Sequence, residues 1–226
     1  MLWRGPHEMG INSDAFARYV LPLMNVERRD RILEVGCGEG WAARLLAAEA
    51  EEGLVIGLDL SRDAIHKARV NSTAFENILY LWAAAEEIPW QEKYFTLVLC
   101  VDSIPYLENP EKALRELYRV LIPGGSVWIV NPVAEEDESA EQAFTDSKPS
   151  GKPLSLEEWS QLLTQSGFEI ELQRMIPNQD LAAQPIPHSP SGDFPDKGRA
   201  GKANALLLAA RKPMRAPDAA APANGA

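Results

Sequence analysis

The sequence predicts an α/β protein built on a mainly parallel sheet with helices on both faces. From Arg31 onward, short apolar runs alternate with amphipathic stretches of helical spacing. Cap and turn residues mark the joins between them, and strand–helix alternation of this kind implies a parallel sheet covered on both sides. The 226 residues suffice for one large domain, and 46% of them are hydrophobic, enough to bury a sizeable core.

Seven strand candidates can be read in order. Arg31–Val35 (RILEV) is a short buried strand, and Trp41–Ala50 is a helix by spacing and propensity. Leu54–Leu60 is the second strand, and Ser61 is placed to N-cap the helix DAIHKARV. Asn77–Trp82 and Tyr94–Val101 are the third and fourth strands. Pro110–Leu121 is a helix with Asn109 as its cap and Pro110 at its first position. Pro123-Gly124-Gly125 is expected to end that helix, and Ser126–Val130 to form the fifth strand. The segment 134–146 is acidic, with no Lys or Arg, and reads as a loop or a frayed helix. Ser155–Ser166 is a helix opened by a Ser155/Glu158 capping box and closed by Gly167. Phe168–Ile176 and Ala203–Ala210 are the last strand candidates, joined through a Pro/Gly/Ser-rich loop, Pro177–Lys202. The expected organisation is an N-terminal helical lid segment over 1–30, one domain over 31–210 and a disordered Ala/Pro-rich tail over 211–226.

Charge and composition exclude several classes. The formal net charge is −11, the wrong sign for wrapping a nucleic-acid backbone. Cys37 and Cys100 are the only cysteines, too few for a disulfide framework and without zinc spacing, so no metal site is expected and a reducing, cytoplasmic setting fits. No apolar run reaches the roughly 20 residues of a membrane span. The opening MLWRGPHEMG lacks the apolar h-region of a secretory leader.

The chemistry is expected at the ends of the first strands. Glu34-Val35-Gly36-Cys37-Gly38-Glu39-Gly40 joins the first strand to the first helix. Glycines there permit positive φ and close backbone approach to a ligand, and free N–H groups at a helix start suit an anion. Asp59 ends the second strand, 19 residues after Gly40, where an acceptor can bind ribose hydroxyls. A tight turn and a helix cap are the blander roles for these residues. A dinucleotide fingerprint would be G-x-G-x-x-G. Here the spacing is G-x-G-x-G followed by the bulky Trp41, which argues against a nicotinamide oxidoreductase.

Four segments together resemble the class I S-adenosylmethionine-dependent methyltransferases, in the broad group that includes the ubiquinone/menaquinone C-methyltransferases. They are LEVGCGEG, GLDLS with Asp59, AEEIPW (Ala85–Trp90) and RVLIPGGSVWIVNP (Arg119–Pro132). The resemblance implies a Rossmann-like doubly wound sheet of seven strands, mostly parallel with an antiparallel last strand. It implies S-adenosylmethionine as cofactor and transfer of a methyl group to a small-molecule acceptor, releasing S-adenosylhomocysteine. Gly36, Cys37, Gly38 and Gly40 would form the loop that lines its methionine part, and Glu34 would brace the loop and the ammonium. Asp59 would hold the ribose, Leu60 would pack on the adenine, and Ala85 would sit at its edge. Cys100 and Val101 would face the methionine moiety.

This chain departs from the family's pattern in two places. Ala84 stands where an Asp often accepts from the adenine amine, which would leave Glu86 or a backbone carbonyl to do so. After the fourth strand, where some relatives carry histidines, the run is Asp102-Ser103-Ile104-Pro105-Tyr106. Asp102 and Tyr106 are the candidates for substrate contact or general base. Capping a turn and packing are their alternative roles. Because the sulfonium leaving group is already activated, in-line positioning supplies much of the acceleration, and a base is needed only for an acceptor that must lose a proton early. His7, His66 and His188 are scattered, and Cys37 reads as a packing residue rather than a nucleophile. Trp3, Phe16 and Tyr19 would help to close a lid or would simply line an amphipathic helix. A non-catalytic binding or regulatory protein on the same fold is the alternative function. The acceptor atom and the oligomeric state are not readable from these residues.

Overall fold

A computed structural model describes residues 13–104, 107–133, 156–176 and 204–214. Strands β1 (Arg31–Val35), β2 (Leu54–Asp59), β3 (Ile78–Trp82), β4 (Phe95–Val101), β5 (Leu121–Val133), β6 (Glu169–Ile176) and β7 (Asn204–Arg211) form one sheet. Its order is β3-β2-β1-β4-β5-β7-β6. The first five strands are mutually parallel, and β7 runs antiparallel to both of its neighbours. The seven-stranded, mostly parallel sheet with a reversed last strand is therefore as the sequence predicts.

The helices are α1 (Ser13–Tyr19), α2 (Leu21–Met24), α3 (Trp41–Glu49), α4 (Arg62–Asn71), α5 (Pro110–Val120) and α6 (Leu156–Gln165). Because side chains alternate across a strand, the sheet feeds two separate cores. Ile32, Leu97, Leu99 and Val130 pack with Ala43, Leu46 and Ile65 of α3 and α4. Leu33, Val98, Cys100 and Ile129 pack with Leu114, Leu117, Trp159 and Leu163 of α5 and α6. That two-sided cover makes the fold doubly wound.

Local chemistry sets the helix ends. Ser61 Oγ accepts from the Ala64 N–H at 3.2 Å, and Asn109 Oδ1 accepts from Lys112 N–H at 2.9 Å. Gly167 N–H donates to Thr164 and Phe168 N–H to Leu163, the paired closure of a Schellman ending. Phe168 then meets Tyr118 of α5 edge to face, 5.1 Å between ring centres. Ser155, the expected start of α6's capping box, lies outside the described residues, as does the acidic segment 134–146.

Two expectations need correction. The helix α5 ends at Val120, before Pro-Gly-Gly, and β5 begins at once at Leu121. Pro123-Gly124-Gly125 is an excursion within the strand. The register with β4 jumps from Phe95↔Leu121 to Leu97↔Ser126. The excursion is held by Gly124 N–H to Lys212 O and Lys212 N–H to Gly125 O, both 2.8 Å. The Lys212 ammonium also donates to the Tyr118 and Leu121 carbonyls at 2.7 and 2.8 Å. The ordered domain consequently runs past residue 210. Arg211 ends β7 and Lys212 is buried, so the first residues of the expected tail belong to the fold.

The helical character of the N-terminal segment is present in α1 and α2. Phe16, Val20 and Met24 are buried in the first core, and Phe16 meets Trp41 of α3 edge to face at 5.4 Å. Phe16 is thus a packing residue. Trp3 and His7 lie outside the described residues. No helix among the described residues is long and apolar enough to cross a membrane.

Candidate active site

The strand order reverses between β1 and β4, since the chain winds outward from β1 through β2 to β3 and then returns to start β4 on the other side. A crevice opens at the carboxyl ends of the strands at such a point. The register puts Val35 beside both Leu58 and Cys100, so the ends of β1, β2 and β4 meet there. The loop Gly36–Gly40 leaves β1 directly into this crevice.

The end of β2 grips that loop. The Leu58 carbonyl accepts from Gly36 N–H at 2.7 Å and from Cys37 N–H at 3.0 Å. Asp59 Oδ2 accepts from Gly38 N–H at 2.9 Å, while Oδ1 accepts from Ser61 N–H at 2.8 Å. Gly40 N–H closes the turn on Cys37 O at 2.8 Å. Four of the five loop amides are therefore spent within the protein. These amides brace the loop against β2 and against itself.

The glycines divide by what surrounds them. A Cβ on Gly36 would lie 2.2 Å from Ser103 Cβ, and one on Gly40 would lie 2.2 Å from the Tyr80 hydroxyl. A Cβ on Gly38 would meet nothing within 4 Å, although the residue sits at φ +52°. Gly36 and Gly40 are pressed against neighbouring elements, and Gly38 faces open space.

Residues 33–129 match the family described as a methyltransferase domain. That stretch is identified as a methyltransferase domain. A demethylmenaquinone methyltransferase of Staphylococcus epidermidis is 31% identical over 111 residues, covering 49% of this chain and 46% of the relative. A fatty-acid O-methyltransferase of Mycolicibacterium smegmatis is 31% identical over 180 residues, covering 74% of this chain and 58% of the relative. The chain spans only about half the length of those curated relatives. Among solved structures, a Haloferax volcanii chain in complex with the Trm112 methyltransferase activator superposes with a TM-score of 0.70 at 22% identity, covering 88% of this chain and 89% of that one. At that identity the likeness shows the fold.

In this chain Glu34 is 2% exposed near the end of β1. Burial pushes its carboxyl up to about 8, against a bond from the Ala43 backbone and the nearby Arg44 charge, which pull it down. Its Oε2 has no hydrogen-bond partner. Cys37 is buried with its thiol pushed well above the usual range by burial, and its sulfur lies 2.9 Å from where a Gly57 Cβ would stand. It packs the loop onto β2, as the sequence suggests. Cys100 is fully buried and its thiol is likewise pushed up by burial.

The adenine-side candidates stand along the rim. Leu60 is 62% exposed, and its carbonyl accepts from Trp82 Nε1 at 2.8 Å. Arg62 stacks over the Trp82 ring at 3.8 Å. Ala84 is half-buried and Ala85 is buried. Glu86 Oε1 accepts from Glu108 and Asn109 N–H at 3.0 and 3.2 Å, so its carboxylate is employed in seating the start of α5. The rest of AEEIPW is clipped to α5 as well. Glu116 accepts from Ile88 N–H, and Arg119 donates to the Ile88 and Trp90 carbonyls.

Val101 ends β4 and is buried, and Asp102 after it is half-buried at φ +52°, its N–H donating to Val130 O at 2.9 Å. Asp102 thereby turns the chain at the mouth of the crevice. Tyr106 lies outside the described residues. His66 is exposed on α4. Sequence reasoning missed three features near the strand ends: Ser103 against Gly36, Tyr80 against Gly40, and the buried amide of Asn131 in β5. Nothing local marks them, because each gains its place from a neighbour distant in the chain.

Proposed function

We propose that this methyltransferase transfers a methyl group from S-adenosylmethionine to a small-molecule acceptor and releases S-adenosylhomocysteine. The observation that carries the reading is one corner of the crevice. There the Gly36–Gly40 loop is gripped by Leu58 and Asp59, with open space at Gly38 and one Glu34 carboxylate oxygen, Oε2, buried without a partner. A buried carboxyl with one oxygen left unpartnered, beside an open backbone, fits a ligand that carries an ammonium group.

The residues divide the work. Glu34 would meet the ammonium of the methionine part. The Gly36-Cys37-Gly38 backbone would lie along it, with Gly40 closing the loop and Cys100 and Val101 forming the apolar floor. Asp59 has lone pairs beyond the two N–H bonds it accepts, and these would take the ribose hydroxyls. Leu60 would cover the adenine, with Ala84 and Ala85 at its edge. The bound cofactor supplies a methyl group on a sulfonium, already activated for displacement. The chain's contribution is then to orient the acceptor in line and keep water out. Asp102 and Tyr106 would contact the acceptor, and Asp102 would take a proton where the acceptor must lose one.

A small-molecule acceptor is supported by relatives named for demethylmenaquinone and fatty acids. The net charge of −11 also suits poorly a nucleic-acid substrate. The test is incubation with methyl-labelled S-adenosylmethionine and a panel of quinols, phenols and carboxylic acids, following S-adenosylhomocysteine. Product that accumulates only with an acceptor supports methyl transfer. Tight cofactor binding without turnover of any acceptor would favour a binding or regulatory role instead.

A further inference from the structure

Asn131 is 4% exposed, and among the described residues neither its amide nitrogen nor its amide oxygen has a hydrogen-bond partner. Buried side-chain amides are almost always satisfied, and leaving one unpaired costs stability. The amide is therefore unexplained by the fold around it.

Its position supplies a reason. The strand order β2-β1-β4-β5 lays out the crevice from the ribose-side Asp59, through the loop after β1, to the turn at Asp102 and then to β5. Val101 pairs with Val130, so Asn131 follows at the level of Asp102, whose N–H binds the Val130 carbonyl. On its other side Asn131 is opposite Leu206 of β7. Strand alternation puts it on the face of Val127 and Ile129, the face that also buries Cys100 and Ile104. The carboxyl end of β5 thus carries a buried, unpaired amide on this face.

We propose that Asn131 binds the methyl acceptor, and that the acceptor presents a hydroxyl or carboxylic acid group to it. An amide offers one acceptor oxygen and two N–H donors side by side. An alcohol, phenol or carboxylic acid satisfies both ends, its O–H donating to Oδ1 and its oxygen accepting from Nδ2–H. A site built to pair a substrate hydroxyl discriminates strongly against analogues that lack it, because its own buried group is then left unpaired. The inference rests on the methyl-transfer reading above.

The test uses the full chain and the variant Asn131→Leu, which keeps the volume and removes the polar atoms. Three quantities are measured: affinity for S-adenosylhomocysteine, the melting temperature, and methyl transfer to a panel of phenols, hydroxy acids and medium-chain fatty acids. The expected result is unchanged S-adenosylhomocysteine affinity and a melting temperature equal or about 2–4 °C higher, since an unpaired buried amide is replaced by apolar contact. KM for the panel member that is methylated on oxygen should rise roughly tenfold or more. A variant that melts lower with unchanged KM overturns the proposal and makes Asn131 a structural residue. S-adenosylhomocysteine binding with no panel member methylated overturns the hydroxyl or carboxyl class. Absence of S-adenosylhomocysteine binding to the wild-type chain is a failure of the methyl-transfer reading itself.

Discussion

Glu34 links burial to pH. In the unfolded chain its carboxyl loses its proton near the ordinary value of 4.5, and in the folded protein near 8. Between those values the folded state holds a proton that the unfolded state has released, so stability falls as pH rises and levels off above about 8. Glu34→Gln removes the titration. Thermal melts from pH 5 to 8 should show a flatter profile for the variant, and parallel profiles would remove Glu34 as the cause. Pairing with a cationic ammonium favours the ionised carboxylate, so wild-type affinity for S-adenosylhomocysteine should climb from pH 6 to 8 while the variant's stays level. Asp59 is a different kind of acid, spent on Gly38 and Ser61 as well as available to a ribose. Asp59→Ala should weaken S-adenosylhomocysteine binding by roughly 1–3 kcal/mol, the worth of hydrogen bonds to a charged acceptor. Calorimetry showing equal affinity would take Asp59 out of the site.

At the scale of elements, the glycine loop is held between β2 and β3 by size as well as by hydrogen bonds. Tyr80 fills the space left by Gly57 and Gly40, and its hydroxyl lies 2.8 Å from Ser72 Oγ. A Cβ on Gly57 would stand 2.6 Å from the Tyr80 ring and 2.9 Å from Cys37 Sγ. Gly57→Ala should therefore destabilise the fold by about 1–3 kcal/mol in urea denaturation, as overpacking does. Trimming the ring in Gly57→Ala/Tyr80→Leu should relieve part of that clash, and strict additivity of the two changes would contradict it. The elements themselves were legible wherever the signal is local. Apolar runs marked all seven strands, and Ser61, Asn109 and Gly167 marked helix ends by their own chemistry. The start of β5 was not legible, because Pro-Gly-Gly is a stop signal on its own and becomes part of a strand only through Lys212. The loop's glycines could be found from their spacing, but the destination of their N–H groups depends on β2. Tyr80, Ser103 and Asn131 look like ordinary strand or turn residues until the sheet is assembled.

At the scale of the molecule, one face of the sheet carries α1 through α4 and the other α5 and α6, leaving the carboxyl ends of β1, β2, β4 and β5 as one continuous edge. Cofactor-side and acceptor-side residues are strung along that edge in strand order, so the account predicts that they can be separated by mutation. A change at Asn131 should spare cofactor affinity, and a change at Asp59 should reduce it. Gly38 gives the cleanest entry to the cofactor side. Its Cβ would meet no protein atom, so the cost of Gly38→Val to the fold is confined to a left-handed backbone, about 1–2 kcal/mol. The side chain would instead occupy the open side of the loop. The most direct measurement is therefore calorimetric titration of wild type and Gly38→Val with S-adenosylhomocysteine, with a thermal melt of each as a check on folding. The account predicts micromolar binding to the wild-type chain and none to a folded Gly38→Val. Equal binding by the two, or none by the wild type, would contradict the assignment of this loop as the cofactor cradle.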